Sequence, residues 1–130
     1  MSLPDAIRTM LTDEIANNQV ADANITYGSR NEFASLPAIT YQIIANETIA
    51  TGATPLRRCE VQIKSVALVA EDAQGISALV ESALVVETYN GIEFQAIANK
   101  NSILQEPESG LGDETNPFVC ITTADIFYKG

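Results

Sequence analysis

Histidine is absent from this sequence, and so is tryptophan. Without histidine there is no Ser-His-Asp triad, no imidazole base and no histidine metal ligand. Cysteine is scarce: Cys59 and Cys120 are two thiols, too few for a disulfide scaffold or for a zinc site of their own. Both sit in apolar, strand-like runs, which predicts buried free thiols, with a disulfide between neighbouring strands as the other reading. Bases are few as well. Seven Lys and Arg stand against seventeen Asp and Glu, for a net charge of −10. The only adjacent basic pair is Arg57-Arg58, so the clustered cations that displace counterions from nucleic acid, or that bind an anionic membrane, are missing. No window approaches the roughly 18 apolar residues of a membrane span. Met1-Ser2-Leu3-Pro4-Asp5 has neither a basic n-region nor a long apolar stretch, so no signal peptide is expected. The chain is expected in a cytoplasm, or in a particle assembled there.

What is present is an ordinary globular composition. Of 130 residues, 46% are hydrophobic and 18% charged, enough for one core and too short for two comfortable ones. A single domain over 1–130 is expected. Ser2 is placed to cap a first helix, with Pro4 and Asp5 in its first turn. Ile7, Met10, Leu11 and Ile15 follow at helical spacing. Val20 to Tyr27 is a weak strand, and Gly28 to Ala34 a loop. Ile39, Tyr41 and Ile43 alternate with Ala38, Thr40 and Gln42, which predicts a half-buried strand over Leu36–Ile44. Ala45 to Pro55 reads as a mobile, hairpin-like connection. From Leu56 a long strand places Cys59, Val61, Ile63 and Ser65 on one face and Arg58, Glu60, Gln62 and Lys64 on the other. Its phase shifts at Val66 and Leu68, through a bulge or through burial of both faces.

Glu71-Asp72 opens the clearest element, a second helix with its acids at the positive end of the helix dipole. Ala73, Ile76, Leu79, Val80, Ala83 and Leu84 form its apolar stripe. Gln74, Ser77, Glu81 and Ser82 are assigned to the opposite side, and Gly75 is expected to pack closely on the sheet. Asn90-Gly91 is a tight-turn pair. Ile92, Phe94, Ala96 and Ala98 alternate against Glu93, Gln95 and Ile97 in another strand, and Ser102–Gln105 is a short one. A loop rich in acids, prolines and glycines runs from Gln105 to Pro117. The last strand, Phe118–Tyr128, is strongly β-forming. The order predicts an α+β fold, a single mainly antiparallel sheet with two α-helices packed on one face.

A search for chemistry finds no G-x-S-x-G, no Walker loop and no G-x-G-x-x-G. Gly110-Leu111-Gly112 lacks the strand before and helix after that a phosphate cradle needs. Glu106, Glu108, Asp113 and Glu114 could gather a calcium ion, but their spacing fits no EF-hand, and the ordinary reading is a solvated loop. Glu60 and Glu93 read as solvent-side strand residues, and Cys120 has no histidine to activate it. No catalytic residue, cofactor or metal is expected, and no enzyme activity. Arg57-Arg58 reads either as an edge charge that discourages aggregation or as a pairing point for an acidic loop of a neighbouring copy. On the second reading the subunit interface would comprise Arg57, Arg58, Glu106, Glu108, Asp113 and Glu114.

Taken together, the opening amphipathic helix (Ile7, Met10, Leu11, Ile15), the phrase Ser35-Leu36-Pro37-Ala38-Ile39-Thr40-Tyr41 and the block Val61-Gln62-Ile63-Lys64-Ser65 … Glu71-Asp72-Ala73 … Ile76 … Val80 … Leu84, closed by Phe118–Tyr128, resemble one family. It is the tail completion, or tail terminator, proteins of long-tailed phages, typified by the lambda tail terminator. The shared motifs are a pattern of hydrophobicity, with no catalytic residue to carry over. The resemblance implies a structural virion protein. It would form a hexameric homo-oligomeric ring at the head-proximal end of the tail, ending tail-tube growth and joining tail to head. Its partners would be the tail tube protein and a head-completion or connector protein, with no membrane. DNA would pass through the lumen without specific binding, because six copies at −10 each carry −60 and repel it. Two alternatives stand beside this: a neck or baseplate adaptor of similar fold, and a small acidic α+β domain that binds a ligand or cation.

Overall fold

A computed structural model describes residues 2–15, 20, 24–28, 36–105 and 117–129, without the side chains of 13–15. It has the predicted architecture: two helices and one six-stranded sheet in the order β1-β2-β3-β6-β5-β4. In chain order these are α1 (Leu3–Ile15), β1 (Ile25–Tyr27), β2 (Ala38–Ala50), β3 (Leu56–Ala67), α2 (Ala70–Ala83), β4 (Thr88–Tyr89), β5 (Ile92–Gln105) and β6 (Phe118–Lys129). All pairings are antiparallel except that of β1 with β2.

Local chemistry sets the helix starts. Ser2 Oγ accepts the Asp5 N–H at 3.2 Å, capping α1 as expected. In α2 the cap position is Val69, whose side chain makes no cap bond, so Glu71 and Asp72 in the first turn supply the favourable charge. α1 buries Ile7, Met10 and Leu11, and α2 buries Ile76, Val80 and Ala83. These pack on Ile39 and Tyr41 of β2, Cys59, Val61 and Ile63 of β3, Phe94 of β5, and Ala124 and Ile126 of β6. A smaller cluster of Ala67, Ala73 and Cys120, flanked by Leu104 and Phe118, continues the core at the far end.

Several expectations are corrected. The region Ala45–Pro55 is no loop: β2 runs on to Ala50, leaving only Thr51–Pro55 as the turn into β3. Its residues are exposed because the helices do not reach that far, so burial imposes no hydrophobic pattern there. The two strands drawn at Ile92–Ala98 and Ser102–Gln105 are one, β5, carried through the gap by a bulge at Asn99, whose φ is +58°. A second bulge between Phe94 and Ala96 reverses the facing of the residues beyond it, so Ile97, assigned to the polar side, packs against the core and Ala96 is exposed. At Val66 the choice between bulge and double burial is settled for burial: the β3–β6 ladder is unbroken there, and Ser65, Val66 and Ala67 are all buried. Gly75 is exposed, and a methyl group there would meet nothing within 4 Å, so the expected close packing does not occur. Of the segment Val20–Tyr27, Ile25–Tyr27 form β1, while residues 21–23 lie outside the described residues.

Other readings hold. Asn90 and Gly91 have φ of +50° and +81° and link β4 to β5 in a two-residue turn. The strongly β-forming last strand, β6, lies in the interior of the sheet, between β3 and β5. Cys59 and Cys120 are free and buried. They lie opposite Ile126 and Ser65 respectively, well apart on the β3–β6 ladder, which leaves no disulfide between them.

Candidate functional site

Two side-chain clusters hold the sheet and its helices in register. The first lies on the sheet face turned away from the helices. Arg58 Nε donates to Glu47 Oε1 at 2.7 Å, and Arg58 Nη1 to Asp125 Oδ1 at 3.0 Å. Asp125 Oδ2 accepts Asn99 Nδ2 at 2.7 Å. One guanidinium and one carboxylate thus tie β2, β3, β6 and β5 together, including the bulge at Asn99. The hydrogen bond to Glu47 raises the Arg58 pKa further above its usual value, with the Glu47 and Asp125 charges adding to it against some desolvation. On the opposite face the Tyr128 hydroxyl donates to Asn46 Oδ1 at 2.8 Å, another link across the same strands.

This geometry separates the two arginines. The edge-charge reading fails, because β3 is an interior strand between β2 and β6. Arg58 is engaged within its own chain, while Arg57 is exposed. Glu106, Glu108, Asp113 and Glu114 lie outside the described residues, as does the calcium reading of that loop. Asp125→Ala is expected to lower stability measurably, because it strips Arg58 and Asn99 of a shared acceptor, although solvent screens much of the charge term. Asp125→Asn should recover part of that loss, and Arg57→Ala should stay within about 0.5 kcal/mol of the parent. Urea titration of the three variants checks the ranking.

The second cluster is made of hydroxyls. Ser77 Oγ of α2 lies 3.0 Å from Thr122 Oγ1 of β6 and donates to Ser102 Oγ of β5 at 3.2 Å. Ser102 and Thr122 are 2.9 Å apart, and Ser102 donates to Glu81 Oε1 at 2.9 Å. Ser77 and Thr122 are buried. An open recess of about 220 Å³ beside them is lined by Gln74, Ser77, Ala78, Glu81, Ser102, Leu104 and Cys120. The cluster clamps α2 to the sheet. As chemistry it is weak: the hydroxyls satisfy one another, and the carboxylate in contact with them, Glu81, is held as a hydrogen-bond acceptor of Ser102. Sequence reasoning placed Ser77 and Glu81 on the solvent side of α2. For Ser77 the signal was present: it lies four residues after Ala73 and three before Val80, inside the apolar stripe.

Among the described residues no group of three or more Cys, Asp or Glu side chains is arranged to hold a metal ion. Among them, too, no helix is long and apolar enough to cross a membrane. Burial pushes the Cys59 thiol up to about 12, far from nucleophilic. Burial likewise raises the Tyr41 phenol, with smaller opposing effects from Arg8 and reinforcing ones from Asp5 and Tyr27.

No protein family model matches the chain. No curated protein matches it either. Among solved structures it is similar to a chain of the virion of a native gene transfer agent particle, with a TM-score of 0.69 at 13% sequence identity. The likeness covers 99% of this chain and 96% of that one. At such identity the two share a fold.

Proposed function

We propose that this chain is a structural virion protein that acts by shape and self-association, at the head-proximal end of a phage tail. There it would end growth of the tail tube and join tail to head. The observation that carries the reading is the end-to-end likeness of fold to a virion chain. It meets the resemblance to tail terminators drawn from the sequence alone. The Arg58 and Ser77 clusters support it, since they brace a sheet and present no reactive group. The charge of −10 supports a part past which DNA moves without adhering. On this reading the protein is no enzyme, its neighbours are a tube protein and a head-completion protein, and copies of it close into a ring of six.

Deletion of the gene in a particle-producing host, with particles imaged and their proteins identified by mass spectrometry, tests the proposal. Tails of irregular length separated from filled heads are the expected result, with the chain present in normal particles at a few copies each. A neck or baseplate adaptor would instead leave tail length uniform. Absence of the chain from purified particles would overturn the virion reading altogether.

A further inference from the structure

The sheet has two long edges that nothing covers among the described residues. β1 shields only Ile39–Tyr41 of β2, and β4 shields only Ile92 and Glu93 of β5. Beyond those points β2 from Gln42 and β5 from Gln95 present backbone groups to the outside. Free edges of this length are ordinarily blunted by lysines or prolines, or covered. Here Gln42–Ala50 carries one charge, Glu47, already held by Arg58, and Gln95–Gln105 carries one, Lys100. Neither stretch contains proline. In so acidic a chain these edges are the places where two copies could meet with little repulsion. Ile44 and Ile49 stand 45% and 48% exposed along the β2 edge.

The registers add a more specific match. Following the ladders across the sheet, Gln42 is level with Gln62, Thr123 and Asn101. Ala45 is level with Glu60, Asp125 and Ala98, and Asn46 with Cys59, Ile126 and Ile97. Glu47 is level with Arg58, Phe127 and Ala96. β2 has an extra residue between Ile43 and Ala45, and β5 has one between Ala98 and Asn101, at the same height. Each bulge breaks the step against its own neighbour in the sheet. Set against each other, the two edges count off residue for residue with no gap, Gln42–Glu47 opposite Ala96–Asn101, up to the second β5 bulge at Gln95.

The backbone phase agrees too. Gly28 N–H donates to the Tyr41 carbonyl at 2.8 Å, so Tyr41 faces outward from β2. Phe94 N–H donates to the Glu87 carbonyl at 3.0 Å, so Phe94 faces outward from β5. Carrying the alternation along the paired registers turns Asn46 and Ile97, which are level, outward together. Strand directions alternate from β2 through β3 and β6 to β5. A copy displaced sideways without being inverted therefore brings its β2 antiparallel to this β5.

We infer that β2 of one copy pairs with β5 of the next, Gln42–Glu47 against Ala96–Asn101, in a head-to-tail contact that extends the sheet from subunit to subunit. The occupant is a second copy, because a generic strand lacks the compensating bulge. β1 occupies the place beside Ile39–Tyr41, so the ladder starts at Gln42, where the bulge at Asn99 turns the neighbour's strand away. Because the joined surfaces differ, the contact generates a ring or an open filament and no isolated two-fold dimer. This contact rests on the reading of the chain as an assembling virion component.

Ala45 and Ala98 face each other across such a junction as a non-hydrogen-bonded pair, with Cα atoms about 4.5 Å apart, within disulfide range. Particles are assembled with a chain carrying Ala45→Cys and Ala98→Cys, oxidised, and run without reductant. A ladder of disulfide-linked multimers is expected, and reductant should collapse it to monomer. The single variants, A45C and A98C, should yield no ladder, and mixed together they should yield dimers. Circular dichroism of each variant confirms folding, and alanine-to-cysteine changes at these two sites leave the core untouched. Efficient dimerisation of A98C by itself would mean two-fold pairing and overturn the proposal. So would particles that contain the double variant, by mass spectrometry, yet show no ladder; the virion reading would survive that result. Absence of the chain from particles removes the virion reading instead, and the mixed single variants in solution then decide the edge contact alone.

Discussion

Phe94→Ala is expected to destabilise the protein by about 3–5 kcal/mol, the range for deleting a buried phenyl ring. For a domain of this size the melting temperature should fall on the order of 10–20 °C. Phe94 is 1% exposed and among the largest fully buried side chains. Its ring lies 5.1 Å from that of Tyr89, tilted by 52°. The same residue's N–H holds the Glu87 carbonyl. It therefore fixes the corner where the chain leaves α2, forms β4 and starts β5. Collapse of that cavity would shift the free edge of β5 as well as the core. Calorimetry of Phe94→Ala beside Ile97→Val, a change expected to cost about 0.5–1.5 kcal/mol, separates corner from edge. A Phe94→Ala protein that melts within about 2 °C of the parent, far short of the expected fall, would show that this corner contributes little to the fold.

The position of Phe94 was legible because Ile92 and Phe94 alternate cleanly after the Asn-Gly turn. The continuation of the strand was not. A bulge adds one residue to one strand, and hydrophobicity alone cannot distinguish an added residue from the end of a strand. Alternation alone therefore assigns Ile97 to the wrong face and separates Ser102–Gln105 from the strand before it. The β2 extension was hidden for a different reason. Ala45–Ala50 lies beyond the helices and buries nothing, so no apolar period marks it, and what makes it a strand is pairing with Leu56–Glu60. The helices, by contrast, each bury one stripe against the sheet, and the hydrophobic period marks the described part of it: Ile7, Met10 and Leu11 in α1, and Ala73, Ile76, Val80 and Ala83 in α2. The exception, Ser77, is a polar residue inside an apolar stripe, buried because Ser102 and Thr122 wait opposite with matching hydroxyls. At the candidate assembly surface the pattern was similar. Arg57-Arg58 stood out as a pair, but adjacent strand residues point to opposite faces. Only the cross-strand partners Glu47 and Asp125, distant in sequence, decide that Arg58 works within its own chain. Both open edges are properties of strand order, which no local pattern encodes.

The second large effect is alkaline. Cys59 sits fully buried in β3, and burial pushes its thiol up to about 12 from an ordinary 9.0, against a small lowering by a backbone hydrogen bond with Ile126. In the unfolded chain the thiol gives up its proton near its ordinary pKa, while in the folded chain it must keep it. Proton retention then favours unfolding progressively as pH rises from about 9 toward 12, and below 9 the group has no effect on stability. One titrating group of this kind removes on the order of 4 kcal/mol across that window. Cys59→Val keeps the volume and apolar character of the site at a cost under about 1.5 kcal/mol near neutral pH, and it removes the titration. The parent should therefore be the more stable protein at about pH 8, or nearly equal, and the variant the more stable one at about pH 11. Tyr41, also raised by burial, titrates in both proteins and cancels in the comparison. Urea unfolding of the two proteins at about pH 8, 9.5 and 11 measures the crossing. Parallel curves would mean that the strand carrying Cys59 opens to hydroxide without global unfolding. The centre of the sheet would then be looser than its packing implies.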